Sequence, residues 1–284
     1  MNTDNWPFRA AEIEVPGGVY LCQVSEQVSC GACCGLYNRV DVSRETLYTL
    51  LEARTRRFRR IQRTAEGIEA FRQREESLDS APGPYPDFYR CPFLGLVGND
   101  RSRVGCLLHP LSDGNKGIDF RGLSFYGGLA CRRYFCPSHR SLDKNRKQIV
   151  KAVCANWHLY GLVIPDVEFI NVVFSEIERR VEHAVEAKEI LGNTAAAMAM
   201  RALFGFKERW PFRPVGWKGP GNYFFNDAAH PALPVDYQRP GVAPSEYDAF
   251  FQALGSEFTS RSALDAAEAM AASAFSRVTR CIQR

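Results

Sequence analysis

Residues 30–35 read Cys30-Gly31-Ala32-Cys33-Cys34-Gly35. Two residues between Cys30 and Cys33 let both sulfurs reach the same side of a tight turn, and the flanking Gly31 and Gly35 permit the backbone such a turn requires. Three thiols this close repel one another as thiolates, and a cation or an iron–sulfur cluster removes that cost. Working outward from this knuckle, further cysteines stand in Arg90-Cys91-Pro92-Phe93-Leu94, in Gly105-Cys106-Leu107-Leu108-His109, and in Cys131-Arg132-Arg133-Tyr134-Phe135-Cys136-Pro137. Each of these alone reads as a small core residue. With the knuckle they make seven candidate ligands: Cys30, Cys33, Cys34, Cys91, Cys106, Cys131 and Cys136. Seven thiols are enough for one tetrahedral zinc site with spares, a thiolate-bridged pair of metals, or an iron–sulfur cluster of the four-iron type. A structural zinc held from segments so far apart would contribute on the order of 10 kcal/mol to folding.

The rest of the composition narrows the class. The chain has 284 residues with ten cysteines, too few for a small disulfide scaffold, and 36 basic against 32 acidic residues, a net of +4 that does not point to nucleic acid as a partner. No apolar run is long enough to span a bilayer, and Met1-Asn2-Thr3-Asp4-Asn5-Trp6-Pro7 lacks the pattern of a secretory signal. The expectation is a cytoplasmic protein with no membrane segment and an unidentified protein or small-molecule partner.

The expected fold is mainly α, with a cysteine-rich irregular lobe containing a few short strands, α+β at most. The lobe spans 1–140, and 141–284 forms a helical region. Within the lobe, Pro16-Gly17-Gly18 predicts a hairpin, 44–78 a helix that Gly67 could interrupt, and 103–109 a strand. Beyond Leu142, Ile149, Val150, Val153 and Trp157 make an apolar helical face with Gly161 as a C-terminal cap. A second helix runs from Pro165-Asp166 to Gly192, and Thr194 caps a third reaching Lys207. The proline- and aromatic-rich segment 210–244 should pack across the surface, and helices at 245–254 and 261–280 close the chain. Cys154 reads as core and Cys281 as an incidental thiol at a frayed end.

The ordered set Cys30-Gly31-Ala32-Cys33-Cys34, Cys91-Pro92-Phe93-Leu94, Gly105-Cys106-Leu107-Leu108-His109 and Cys131-Arg132-Arg133-Tyr134 resembles the YkgJ-type cysteine-cluster family over about residues 20–140. That family is described as a zinc- or iron-chelating domain, often labelled iron–sulfur. The resemblance implies Cys30, Cys33, Cys34, Cys91, Cys106 and Cys131 as ligands. It departs at Gln27, where the family usually carries a further cysteine, so that Cys22 or Cys136 is left to take its place or one ligand is missing. It departs again in the stretch Leu111 to Ala130, which leaves the pairing of Cys131 and Cys136 open. His109 and His139 follow a cysteine by three residues and read as surface or supporting groups before ligands.

Two other functions compete. Scattered cysteines and the Cys-Pro-Phe-Leu element resemble the flagellin lysine methylase group, which implies a cluster-dependent protein methylase-like enzyme; whether the chain is an enzyme stays open. Arg54, Arg56, Arg57, Arg59, Arg60 and Arg63 crowd ten residues of the 44–78 segment and suggest a nucleic-acid or protein adaptor. They equally suit a solvated face that pairs with the acidic run Glu176, Glu178, Glu182, Glu186 and Glu189.

Overall fold

In a computed structural model describing residues 15–214, 233–239 and 241–283, capped amphipathic helices carry most of the chain. Helices α1 (Arg44–Phe58) and α2 (Ala65–Leu78) start where Ser43 and Thr64 accept the Thr46 and Gly67 amides. The break in 44–78 therefore falls at residues 59–64. Gly67 sits in the first turn of α2, where its amide serves the cap, rather than ending a helix. Strands β1 (Leu94–Val97) and β2 (Arg103–Cys106) pair antiparallel, with Leu94 opposite Cys106. The hairpin expected around Pro16-Gly17-Gly18 is instead a short 3-10 turn, Pro16–Gly18; residues 12–14 of that reading lie outside the described part.

Short helices α3 (Gly127–Arg133) and α4 (Ser138–Ser141) finish the lobe. They are followed by α5 (Lys144–Val153), α6 (Trp157–Val163), α7 (Val167–Val181), α8 (Ala187–Leu191), α9 (Thr194–Phe204), α10 (Phe206–Arg209), α11 (Asp248–Leu254) and α12 (Arg261–Ile282). The fold is mainly α with one two-stranded sheet among the described residues.

Several expected boundaries move, each for a local reason. Gly161 lies inside α6 and ends nothing: a Cβ there would stand 2.0 Å from the Tyr37 hydroxyl, so the residue is small to let Tyr37 in. The helix opened by Asp166 stops at Glu182, in left-handed backbone with φ of 63°, and only then does α8 begin. Asn193, rather than Thr194, caps α9 by accepting two amides, and Gly205 separates α9 from α10.

The largest core joins α5 to α12 around Phe169, Phe174, Phe204, Phe250, Phe251 and Phe275, with α12 against α9 and α7. Val19, Leu21 and Val28 insert into it from the cysteine lobe. Trp210 and Tyr237 are buried in this core and Phe212 packs on it, so these aromatics of 210–244 go deeper than a surface covering; Trp217, Tyr223, Phe224 and Phe225 lie outside the described residues. Cys154 is buried there as expected. Cys281 is not frayed: it packs on the same core and its carbonyl accepts from the Asn193 amide nitrogen at 2.8 Å. A second core (Leu36, Tyr37, Leu47, Leu51, Leu96, Trp157) and a third (Phe58, Phe71, Cys91, Phe93, Leu108) support the lobe.

Candidate metal centre

The lobe builds its cysteine positions from backbone hydrogen bonds more than from regular structure. Gln23 and Ser29 form an isolated antiparallel bridge, and the Cys30 amide donates to the Cys22 carbonyl at 2.8 Å, which sets these two cysteines side by side. The Val104 peptide fastens the loop to β2: its carbonyl takes the Gln23 amide nitrogen and its N–H donates to Ser29 Oγ, both at 2.9 Å. Residues Ala32–Cys34 then form a 3-10 turn closed by Gly35 at φ 78°. A Cβ at Gly35 would lie 2.4 Å from the Tyr89 carbonyl oxygen, so only glycine lets this turn lie against residues 89–91. There the Cys91 amide donates to the Cys34 carbonyl at 2.9 Å.

The hairpin carries Cys106. Its pairing extends past Leu94 and Cys106 through the Leu107 amide on the Phe93 carbonyl at 2.8 Å. Helix α1 lies on β1, and Thr55 Oγ1 serves both backbone groups of Leu96, accepting at 2.7 Å and donating at 3.1 Å. Beyond β2, Asn115 ties down the Leu107 and His109 carbonyls, and the Phe120 amide returns to the Leu108 carbonyl at 3.0 Å. Asp119 holds Arg121 at 2.7 Å and Arg132 of α3 at 2.7 Å, which draws α3 back over this loop. Cys131 on α3 places its sulfur 3.1 Å from Ser124 Oγ. The stretch Leu111 to Ala130 is thus a folded return to the Cys106 loop.

Cys136 is placed from the other side. His139, fully buried, sets Nδ1 3.5 Å from the Cys136 sulfur and Nε2 3.3 Å from the Leu21 amide nitrogen. Because Nε2 accepts the Leu21 N–H, neutral His139 carries its proton on Nδ1, directed at Cys136. Burial keeps this imidazole neutral, its pKa lowered to about 4. The ring is therefore a support for Cys136, with both nitrogens engaged. Tyr160 completes the clamp by donating to the Leu21 carbonyl at 2.8 Å. His109 Nδ1 accepts from the Leu111 amide at 3.2 Å.

The thiols sense one another. Burial pushes Cys22 and Cys30 well above the usual thiol range, and the charges of Cys33 and Cys136 add to it. The Cys33–Cys34 side-chain hydrogen bond lowers Cys33 and raises Cys34, on which burial and the Cys91 and Cys106 charges also act. Cys91 is raised by burial and then by Cys106; Cys106 is pushed up to about 11 by burial, with Cys131 contributing. Each of the seven sequence-predicted cysteines, and Cys22 besides, lies within electrostatic reach of at least one other of them. Among the described residues, no group of three or more His, Cys, Asp or Glu side chains stands in an arrangement that would already hold an ion. The Cys33 and Cys34 side chains hydrogen-bond to each other, and Cys136 meets the His139 ring.

The arginine-rich stretch is divided: Arg54 is buried, Arg57 and Arg63 are half-buried, and Arg56, Arg59 and Arg60 are exposed. Arg54 is buried between Glu75 and Asp79; Arg57 meets Glu75 at 2.5 Å, Arg59 meets Asp113 at 2.9 Å, and Arg63 donates to Asn115. The acidic run does not serve this helix: Glu176 pairs with Arg179 and Arg180, Glu178 with Arg146, and Glu189 with His183. A cleft of about 500 Å³ lined by Asp41, Arg44, His158, Lys207 and Glu208 contains no cysteine. Within it Lys207 pairs with Asp166 at 2.6 Å and His158 with Glu208 at 2.8 Å. No helix among the described residues is long and apolar enough to cross a membrane.

No family model, no curated protein and no solved structure matches this chain.

Proposed function

We propose that the chain is a metal-binding protein whose cysteine lobe holds an iron–sulfur cluster or zinc through thiolates. The observation that carries this reading is that main-chain hydrogen bonds, the β1–β2 hairpin, the Asp119 ion pairs and His139 draw cysteines of four separate segments toward the Cys30–Cys34 knuckle. Such a group is costly when ionised and buried, and a thiophilic metal is the chemistry that offsets the cost. The donor set fits: the gathered groups are thiols, and His139 directs an N–H at one of them, as supporting groups around metal ligands commonly do. The ordered cysteine pattern, which resembles that of the YkgJ-type family, is in line with the same reading, and the all-thiol set favours iron–sulfur slightly over zinc. When bound, the centre would tie the lobe's segments together and, if iron–sulfur, supply an electron-transfer group.

Metal analysis and an absorption spectrum of anaerobically purified full-length protein test the reading. Expected is stoichiometric iron with a sulfide-to-iron absorption band, or stoichiometric zinc. Folded protein that carries neither and takes up neither on reconstitution overturns it.

A further inference from the structure

We propose that the lobe contains two separate four-cysteine metal sites, Cys22 with Cys30, Cys33 and Cys136, and Cys34 with Cys91, Cys106 and Cys131, meeting at the Cys33–Cys34 peptide. This rests on the metal-binding reading above and adds its ligand sets, its stoichiometry and Cys22.

Backbone geometry defines the first set. Cys22 and Cys30 are neighbours through the 2.8 Å bond between their main chains, and Cys33 follows Cys30 in the same knuckle. Cys136 is brought to them by His139, which touches the Cys136 sulfur with one nitrogen and takes the amide next to Cys22 with the other. The second set is built by different bonds. Cys34 and Cys91 are joined main chain to main chain at 2.9 Å, and the hairpin delivers Cys106 to the Cys91 side. The Asp119 bridge between Arg121 and Arg132 carries Cys131 to the Cys106 loop.

Successive residues of a 3-10 turn point about 120° apart, so Cys33 and Cys34 lead toward different neighbours. Cys33 and Cys34, adjacent in the knuckle, are the link between the two sets. Four thiolates complete a tetrahedral zinc site or a four-iron cluster, so eight cysteines make two full sites with no ligand missing at Gln27.

The test is metal stoichiometry of the full chain reconstituted with zinc, or with iron and sulfide, alongside Cys22→Ser and Cys106→Ser. Expected are two zinc, or eight iron, per wild-type chain, and half of that in each variant. In a cobalt(II) titration of the wild type, thiolate-to-cobalt absorption should grow until two equivalents are bound, with a tetrahedral tetrathiolate spectrum throughout. One zinc or four iron per wild-type chain overturns the two-site inference and leaves metal binding standing; no metal at all overturns the parent reading. Two metals that are lost together in either folded variant mean one bridged centre and also overturn it. Should a variant fail to fold, the cobalt titration decides: saturation at one equivalent, or the thiolate-bridging band shift on adding the second, counts against separate sites.

Discussion

The Arg54 guanidinium donates to the backbone carbonyl of Cys91 at 3.2 Å while meeting Asp79 at 3.0 Å. An arginine from a stretch that looks like a solvent-facing basic helix thus reaches the cysteine lobe, with its side chain only 1% exposed. Burial lowers its pKa to about 10, and the carboxylates of Asp79 and Glu75 hold it charged at neutral pH.

Arg54→Met should therefore destabilise the protein by about 3 kcal/mol, because it leaves Glu75 and Asp79 short of a buried partner. Arg56→Gln, which removes an exposed pair with Glu52, should change stability by less than about 0.5 kcal/mol. Urea unfolding of metal-free protein compares the two; equal effects would show that Arg54 is not a keystone of the lobe.

Gly35→Ala combines a left-handed φ with a clash against the Tyr89 carbonyl, whereas Gly18, at φ 70°, faces open space. Gly18→Ala should cost about 1 kcal/mol for its backbone conformation alone. Gly35→Ala should cost clearly more and should loosen metal retention, since the Cys34–Cys91 contact depends on that turn. Parallel unfolding and chelator-competition measurements check this, and matched behaviour of the two variants would refute it.

Gly161→Ala tests whether that residue is a cap or a contact. Alanine at a helix end would be mild, but a methyl 2.0 Å from the Tyr37 hydroxyl and 2.7 Å from its ring forces Tyr37 to move. A loss of about 1–3 kcal/mol is expected from such overpacking. Thermal unfolding that is unchanged or improved would contradict the packing described.

Thiol labelling separates the cysteines outside the sites from those within. In metal-free protein at neutral pH, exposed Cys131 should react with an aromatic disulfide reagent first, and Cys131→Ser should remove that fast phase. Cys154, buried and with its pKa raised by burial, should react only on unfolding, because the thiolate is the attacking species. With metal bound, Cys131 should become protected. Labelling of Cys154 at the native-state rate of Cys131 would be inconsistent with the core.

Much of the helical region is legible from residue pattern, because α7, α9, α11 and α12 each bury one periodic face. The breaks were harder to place. Glu182 adopts left-handed backbone without being glycine, and Gly67 and Gly161 are accommodated within helices by a cap and by a close contact. Those roles depend on neighbours that local spacing does not reveal. The destination of the Arg54 side chain was hidden in the same way, since only the packing of α1 against α2 brings Glu75 to it. Cys22 stands eight residues from Cys30 with no motif between them, and the Gln23–Ser29 bridge that closes the gap has no strong turn signature.

What the amino-acid order determined by itself is chemical and local: thiols in a glycine-flanked knuckle, and amphipathic helices ended by capping residues. Which cysteines are drawn toward the knuckle was decided by tertiary structure alone. Residues 22, 34, 91, 106, 131 and 136 are placed by main-chain hydrogen bonds, the Asp119 ion pairs and one buried histidine. These long-range closures owe their geometry to the packed cores beneath them, which local spacing does not encode.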